Sequence, residues 1–347
     1  MPVAQDMPMG LFDMDAGDPT YLNVRNGITT EGVRAAMGEA WGRVSKFCPE
    51  GPERFESELR KDFISRAWEL FLMGVLDAEG FELVKPPGEA PDICIKLETG
   101  PTVWIEAIAP KPGDGDDAPF QRPPGPWVGS LYPEPKLLLR YTSALEEKFR
   151  KLKGYRDKGI VSQSDALIIA VFQGGILDAD LHDVTLPSIA KALFSFGEEY
   201  LSVIPYSDEP PVAGIERRAH VSKMNKTDIP TNFFFDPKTD IISAVLYGDT
   251  FMRSKWSAED SIGIIHRPGA LVPMPIGTLP RRCEMWVDKA NGELTHEGRC
   301  ARHGIYSKPR ETPEKPENPP GWPMDFGPQR FVRLPVADRR GPHCGRD

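Results

Sequence analysis

The sequence predicts a mixed α/β fold: a mixed sheet flanked by helices, with a β-rich extension toward the C-terminus. Three patterns lead there. Helical and strand-like apolar patterns follow one another through residues 52–173 in the order helix, strand, strand, strand, helix, strand. The run Ala166-Leu167-Ile168-Ile169-Ala170-Val171 is apolar throughout, as in a strand covered on both faces. Beyond residue 197 the remaining periodic segments are short and β-like.

Residues 1–28 mix Met, Asp, Gly and Pro without a period and read as a flexible arm. Val33, Met37, Trp41 and Val44 recur at helical spacing, so a first helix is expected from Thr30, its N-cap, to Val44. A longer helix is expected from Pro52, which suits a first helical position, to a stop at Gly80. Phe55, Leu59, Phe63, Leu70 and Gly74 form one stripe of it, and Ile64, Trp68, Phe71 and Val75 the next. Strands are expected over 81–84, 92–97 and 102–109, the last two joined as a hairpin through Glu98-Thr99-Gly100-Pro101. Residues 110–135 hold eight prolines. A loop of that length inside a domain is usually functional or mobile.

A helix over 135–156 follows, with Leu137, Tyr141, Leu145, Phe149 and Leu152 as its apolar stripe. A strand over 165–172 and a helix over 185–196 complete the core. Further strands are expected at 241–247 and 283–296, the second split by the tight-turn pair Asn291-Gly292. Residues 309–342 hold nine prolines and read as an extended or disordered tail. The expected organisation is an arm over 1–28, a core over 29–196, a β-rich extension over 197–306 and a Pro-rich tail over 307–347.

Composition narrows the function classes. The chain has 347 residues, 40% hydrophobic and 27% charged, enough to bury a large core. No uncharged apolar run is long enough for a transmembrane helix, so no membrane partner is expected. The first 30 residues lack a basic start followed by an apolar stretch, so no secretory signal is expected. Five scattered cysteines fit a reducing cytoplasm better than a disulfide framework. A net charge of −9 argues against coating nucleic acid by bulk positive charge, though not against a local basic groove.

Three acids stand where chemistry could gather. Glu69 is the only charge in the apolar segment 67–76. Burying it there costs desolvation unless it is paired or bound to a metal; the alternative is the polar edge of the helix beside Arg66. Asp92 and Glu106 each lie seven residues from Thr99. An antiparallel hairpin centred on Thr99 sets them opposite each other, with Cβ atoms roughly 5 Å apart. Facing carboxylates repel, and a hard cation such as Mg²⁺ resolves that conflict. A one-residue slip would instead place the two acids on opposite faces.

Pro91-Asp92 opening one strand, Glu106-Ala107-Ile108 near the end of the next, and Arg66-Ala67-Trp68-Glu69-Leu70-Phe71 on the preceding helix resemble the PD-(D/E)XK nuclease superfamily. The resemblance covers about a third of the chain, residues 52–173. It implies a restriction-endonuclease-like core and a metal-dependent nuclease acting on DNA more readily than on RNA. It also implies that Glu69, Asp92 and Glu106 hold one or two Mg²⁺ or Mn²⁺ ions. Nucleic acid is then the expected partner, and a second copy of the chain a further candidate.

The chain departs from that pattern at one position. The superfamily's lysine, which orients or activates the attacking water, falls at Ile108. Lys96 lies four residues along the strand from Asp92, about 13 Å away at strand rise. Lys111 would have to fold back. Arg140, Ala144 and Lys148 share one face of the 135–156 helix, and the resemblance allows a displaced lysine there, so Lys148 is the first choice. Its bland alternative is a solvated basic face with Arg150, Lys151 and Lys153. Ile108 and the acidic balance also admit another class, a catalytically inactive nuclease-fold module for binding or assembly. A third reading is a component of a defence system active only in complex.

Other signals are weaker. Cys300 and His303 form Cys-x-x-His, with Cys283 and His343-Cys344 elsewhere, but the spacing is irregular for a zinc site. His182, His220, His266 and His296 have no nucleophile arranged as in a triad. No P-loop or nucleophile elbow occurs. Phe233-Phe234-Phe235-Asp236 reads as core packing before a turn.

Overall fold

Apolar side chains sort onto the two faces of a single sheet. The computed structural model describes residues 10–13, 17–86, 88–120, 133–183, 186–202, 212–250, 256–257, 261–288 and 294–298. Four helices, α1 (Pro19–Asn26), α2 (Glu31–Val44), α3 (Pro52–Leu59) and α4 (Phe63–Ala78), precede the strands β1 (Glu82–Val84), β2 (Ile93–Lys96) and β3 (Thr102–Ile108). Helix α5 (Glu134–Asp157), strand β4 (Ala166–Phe172) and helix α6 (Ser188–Phe194) follow. Then come β5 (Phe196–Ser202), β6 (Val212–Arg217), β7 (His220–Ser222), β8 (Asp228–Pro230), β9 (Ile242–Gly248), β10 (Ile262–His266), β11 (Cys283–Val287) and β12 (Leu294–Gly298).

The main sheet has eight strands in the order β1-β2-β3-β4-β9-β10-β11-β12. β3, β4 and β9 run parallel, and β1, β2 and β10 are antiparallel to their neighbours on the β3 and β9 sides. Alternation splits the side chains cleanly. Ile93, Ile95, Val103, Ile105, Ala107, Ile168, Ala170 and Leu246 join the core beneath the first four helices. Cys94, Trp104, Leu167, Ile169, Val171, Val245 and Tyr247 join the core beneath α5 and α6. The result is a three-layer α/β/α arrangement, the mixed flanked sheet that the periodicities predict.

The segment after residue 197 is where the expected organisation changes. It is not a separate extension, because β9 pairs directly with β4 and carries β10 to β12 into the same sheet. A strand apolar on both faces needs ladder partners on both edges, and β4 takes β3 on one side and β9 on the other. The excursion through α6 and two small hairpins, β5–β6 and β7–β8, separates β4 from β9 in the chain.

The N-terminal expectation also changes. Residues 19–26 form α1 rather than an arm, because Asp18 caps it by accepting the N–H groups of Thr20 and Tyr21, and Tyr21 and Val24 are fully buried. The other carboxylate oxygen of Asp18 accepts from Phe63 N, and its own N–H donates to the Arg60 carbonyl. The single long helix expected from Pro52 is therefore two helices, broken at residues 60–62 where Asp18 docks. Thr30 precedes α2 but does not cap it; its hydroxyl donates back to the carbonyls of Val24 and Gly27. Phe233 and Phe234 are buried, and Asp236 caps the turn that follows. The expected tail over 307–347, Asn291-Gly292, and the Cys300, His303 and His343-Cys344 candidates lie outside the described residues, as do residues 121–132 of the Pro-rich loop. Among the described residues no helix is long and apolar enough to cross a membrane.

Helix α4 is locked to the sheet by Trp68, whose indole N–H donates to the Ala170 carbonyl at 3.1 Å. Gly248 makes room for that ring, since a Cβ there would stand 2.7 Å from its Cη2 atom. Gly248→Ala is expected to lower stability by about 1–3 kcal/mol in urea unfolding. The loss should shrink in a Trp68→Phe background, and an equal loss in both backgrounds would exclude the ring as its cause.

Candidate active site

The β2–β3 ladder pairs Ile93 with Ile105, Cys94 with Trp104, Ile95 with Val103 and Lys96 with Thr102. Carrying that register one residue further sets Asp92 opposite Glu106, the alignment expected for a hairpin about Thr99. Glu106 alternates with Trp104 and so faces the α5 layer, and it is wholly buried. Asp92 precedes β2 and is half-buried. Its Oδ2 accepts the backbone N–H of Ala107 at 2.8 Å. A strand N–H points along the sheet plane, so this bond keeps the Asp92 carboxylate at the rim, between the two helical layers.

Glu69 comes from the opposite layer. It is buried on α4, and its carboxylate accepts from Arg66 Nη1 at 2.7 Å. The same guanidinium nitrogen reaches Glu50 Oε1 at 2.8 Å. Burial, and after it the Asp92 charge, raise the Glu69 carboxyl to about 8 against the pull of Arg66. Burial and then the same Asp92 charge raise Glu106 to about 7, against the pull of Lys148 and Lys151. Asp92 is thus the electrostatic link between an acid from each layer.

Both cations on Glu106 come from α5. Lys148 Nζ donates to Glu106 Oε1 at 2.9 Å, and Lys151 Nζ donates to the same oxygen. Burial works against the Lys151 charge, but Glu106 and then Asp92 outweigh it and raise its pKa. The second oxygen of Glu106, Oε2, is buried with no hydrogen-bond partner. Ile108 packs against the apolar core under α5. The positive charge beside Glu106 comes across the layer from Lys148 and Lys151.

The remaining lysines stand elsewhere. Lys96 is exposed beside Glu82, paired across the ladder from Thr102. Lys111 turns to Asp62 at 2.9 Å. Arg140 holds the chain after β3 through the Asp117 carbonyl. Sequence reasoning left Lys151 on a solvated face and did not weigh Glu50. The i, i+3 spacing of Lys148 and Lys151 was the available signal for the first. Glu50 had none, because its approach to Arg66 depends on how the chain turns between α2 and α3.

Among the described residues no group of three His, Cys, Asp or Glu side chains stands at metal-binding separation. His266 Nε2 lies 2.6 Å from Glu284 Oε1, a buried pair between β10 and β11 whose acid also accepts from Gly277 N. Asp183 sits in a separate buried set with Gln173, Tyr141 and Ser188. Comparison with protein-family models, with curated proteins and with solved structures found no match. The functional reading therefore stands on the chemistry of this cluster.

The raised Glu69 pKa carries a stability consequence with a definite sign. The folded chain keeps a proton on Glu69 that the unfolded chain loses near pH 4.5, so this contribution is full below that pH and disappears as pH rises through about 8. Glu69→Gln cannot ionise. In chelator, its melting temperature relative to wild type is expected to climb between pH 5 and pH 8, by roughly 2–4 °C per kcal/mol. A difference independent of pH would refute the burial argument.

Proposed function

We propose that this chain is a metal-dependent nuclease that hydrolyses phosphodiester bonds, in DNA more readily than in RNA. The observation that carries the reading is the set Glu69, Asp92 and Glu106, linked through Asp92 at one sheet rim, with two lysines on Glu106. The donor set suits the cation. All three acids offer hard oxygens of the kind Mg²⁺ and Mn²⁺ select, and the orphaned Glu106 Oε2 is a buried acceptor in want of a positive partner. Asp92 and Glu106 would hold the ion, with Glu69 the third acid. When bound, it supplies Lewis acidity toward a phosphate and makes a coordinated water more acidic.

The protein's own groups do the rest. Lys148 is nearly buried and fixed on Glu106, so it brings a directed positive charge to the phosphate where negative charge develops. Arg66 keeps Glu69 and Glu50 in place. Asp92 keeps its position because the Ala107 N–H occupies one of its oxygens.

Purified protein incubated with plasmid DNA and Mg²⁺ tests the reading. Cleavage is expected, with a loss of at least about 100-fold in Asp92→Asn and in Glu106→Gln. Ile108 and the net charge of −9 favour a second reading, an inactive module for binding or assembly. Intact plasmid together with retained DNA binding would turn the assignment to that module. Equal cleavage in wild type and Asp92→Asn would locate any nuclease activity elsewhere.

A further inference from the structure

We propose that Lys151 is an exchangeable cation: it holds Glu106 while the metal is absent and turns to a substrate phosphate when a divalent ion enters. The inference rests on the metal-dependent reading above and adds a residue and a mechanism of coupling to it.

The geometry of Glu106 supplies the first argument. Two ammonium groups share Oε1 while Oε2, equally buried, has no hydrogen-bond partner. Like charges crowded on one oxygen repel, and spreading them over both oxygens would relieve the repulsion. The arrangement leaves Oε2 open and loads Oε1, so an ion binding through both oxygens must displace an ammonium.

Exposure decides which one leaves. The Lys148 side chain is 12% exposed and the Lys151 side chain 42%. Lys148 would be left in a packed layer without the carboxylate that it holds there. Lys151 reaches solvent by rotating its stem over the Tyr155 ring, which it already overlies at 5.9 Å.

Charge balance gives the direction of the exchange. With a divalent ion bound and Glu69 therefore ionised, Glu50, Glu69, Asp92 and Glu106 set four negative charges against the three positive charges of Arg66, Lys148 and Lys151. A divalent ion leaves the cluster with a formal excess of one positive charge. Release of Lys151 removes that excess, and the freed ammonium sits one helical turn from Lys148 with its side chain open to solvent. Phosphate is the ligand chemistry that a flexible, solvent-reaching lysine fits. Metal and nucleic acid should therefore bind with positive cooperativity through Lys151.

Calorimetry with Mn²⁺ on the full chain tests the exchange. Lys151→Met is expected to bind Mn²⁺ about tenfold more tightly than wild type, because no internal cation has to leave. With Ca²⁺ in place of Mn²⁺, the same variant should bind a short DNA duplex more weakly, its salt slope reduced by about 1. Lys148→Met should not show the combined pattern. Acetylation of Lys151 in the wild-type chain, followed by peptide mass spectrometry, gives a readout free of any variant and should rise on adding Mn²⁺. Equal or weaker Mn²⁺ binding by Lys151→Met, an unchanged salt slope, or a fall in labelling would each overturn the exchange while leaving the metal site standing. Absence of Mn²⁺ binding in both wild type and variant would overturn the metal reading and this inference together.

Discussion

The hydrogen bond from Ala107 N–H to the Asp92 carboxylate is the constraint on which the site depends. A carboxylate placed just before a strand is free to turn to either face of the sheet. Spending one oxygen on a ladder N–H keeps it at the rim, where its charge reaches Glu69 in one layer and Glu106 in the other. Without that bond the two glutamates would belong to separate cores divided by a sheet. With it, helices α4 and α5 contribute to one electrostatic unit from opposite faces of the sheet.

The burial that raises Glu69 and Glu106 would be costly if those acids stood alone. Each has its own counter-cation from its own helix: Arg66 one turn before Glu69, and the Lys148–Lys151 pair opposite Glu106. This division explains how Ile108 can pack as an apolar residue beside the site. The helix crossing the same face presents two ammonium groups to one oxygen of Glu106. It also explains the asymmetry of Glu106, whose loaded oxygen faces α5 and whose other oxygen faces none of the described donors.

The second half of the sheet has a mechanical part in this. β4 is buried along its whole length, and β9 completes its ladder with β10 to β12 beyond. β3 therefore sits well inside an eight-stranded sheet rather than near an open edge, so the backbone that aims Glu106 is held from both sides. Trp68 fastens α4 to the same strands, which fixes the depth at which Glu69 is buried.

The sequence by itself indicated the core elements between residues 30 and 196 and the hairpin register about Thr99. Alternation about Thr99 permits a pairing that buries Ile93, Ile95, Val103 and Ile105 together, and the structure adopts it, setting Asp92 against Glu106. Helical spacing also put Lys148 on a face able to meet the sheet. Only the tertiary structure decided the rest, because it depends on contacts distant in the chain. Asp18 cutting one expected helix into two, β9 joining β4, Lys151 meeting Glu106 and Glu50 meeting Arg66 all bring together segments with no shared period. Local periodicity reports which face of an element is apolar, not which distant polar group the fold will bring to that face.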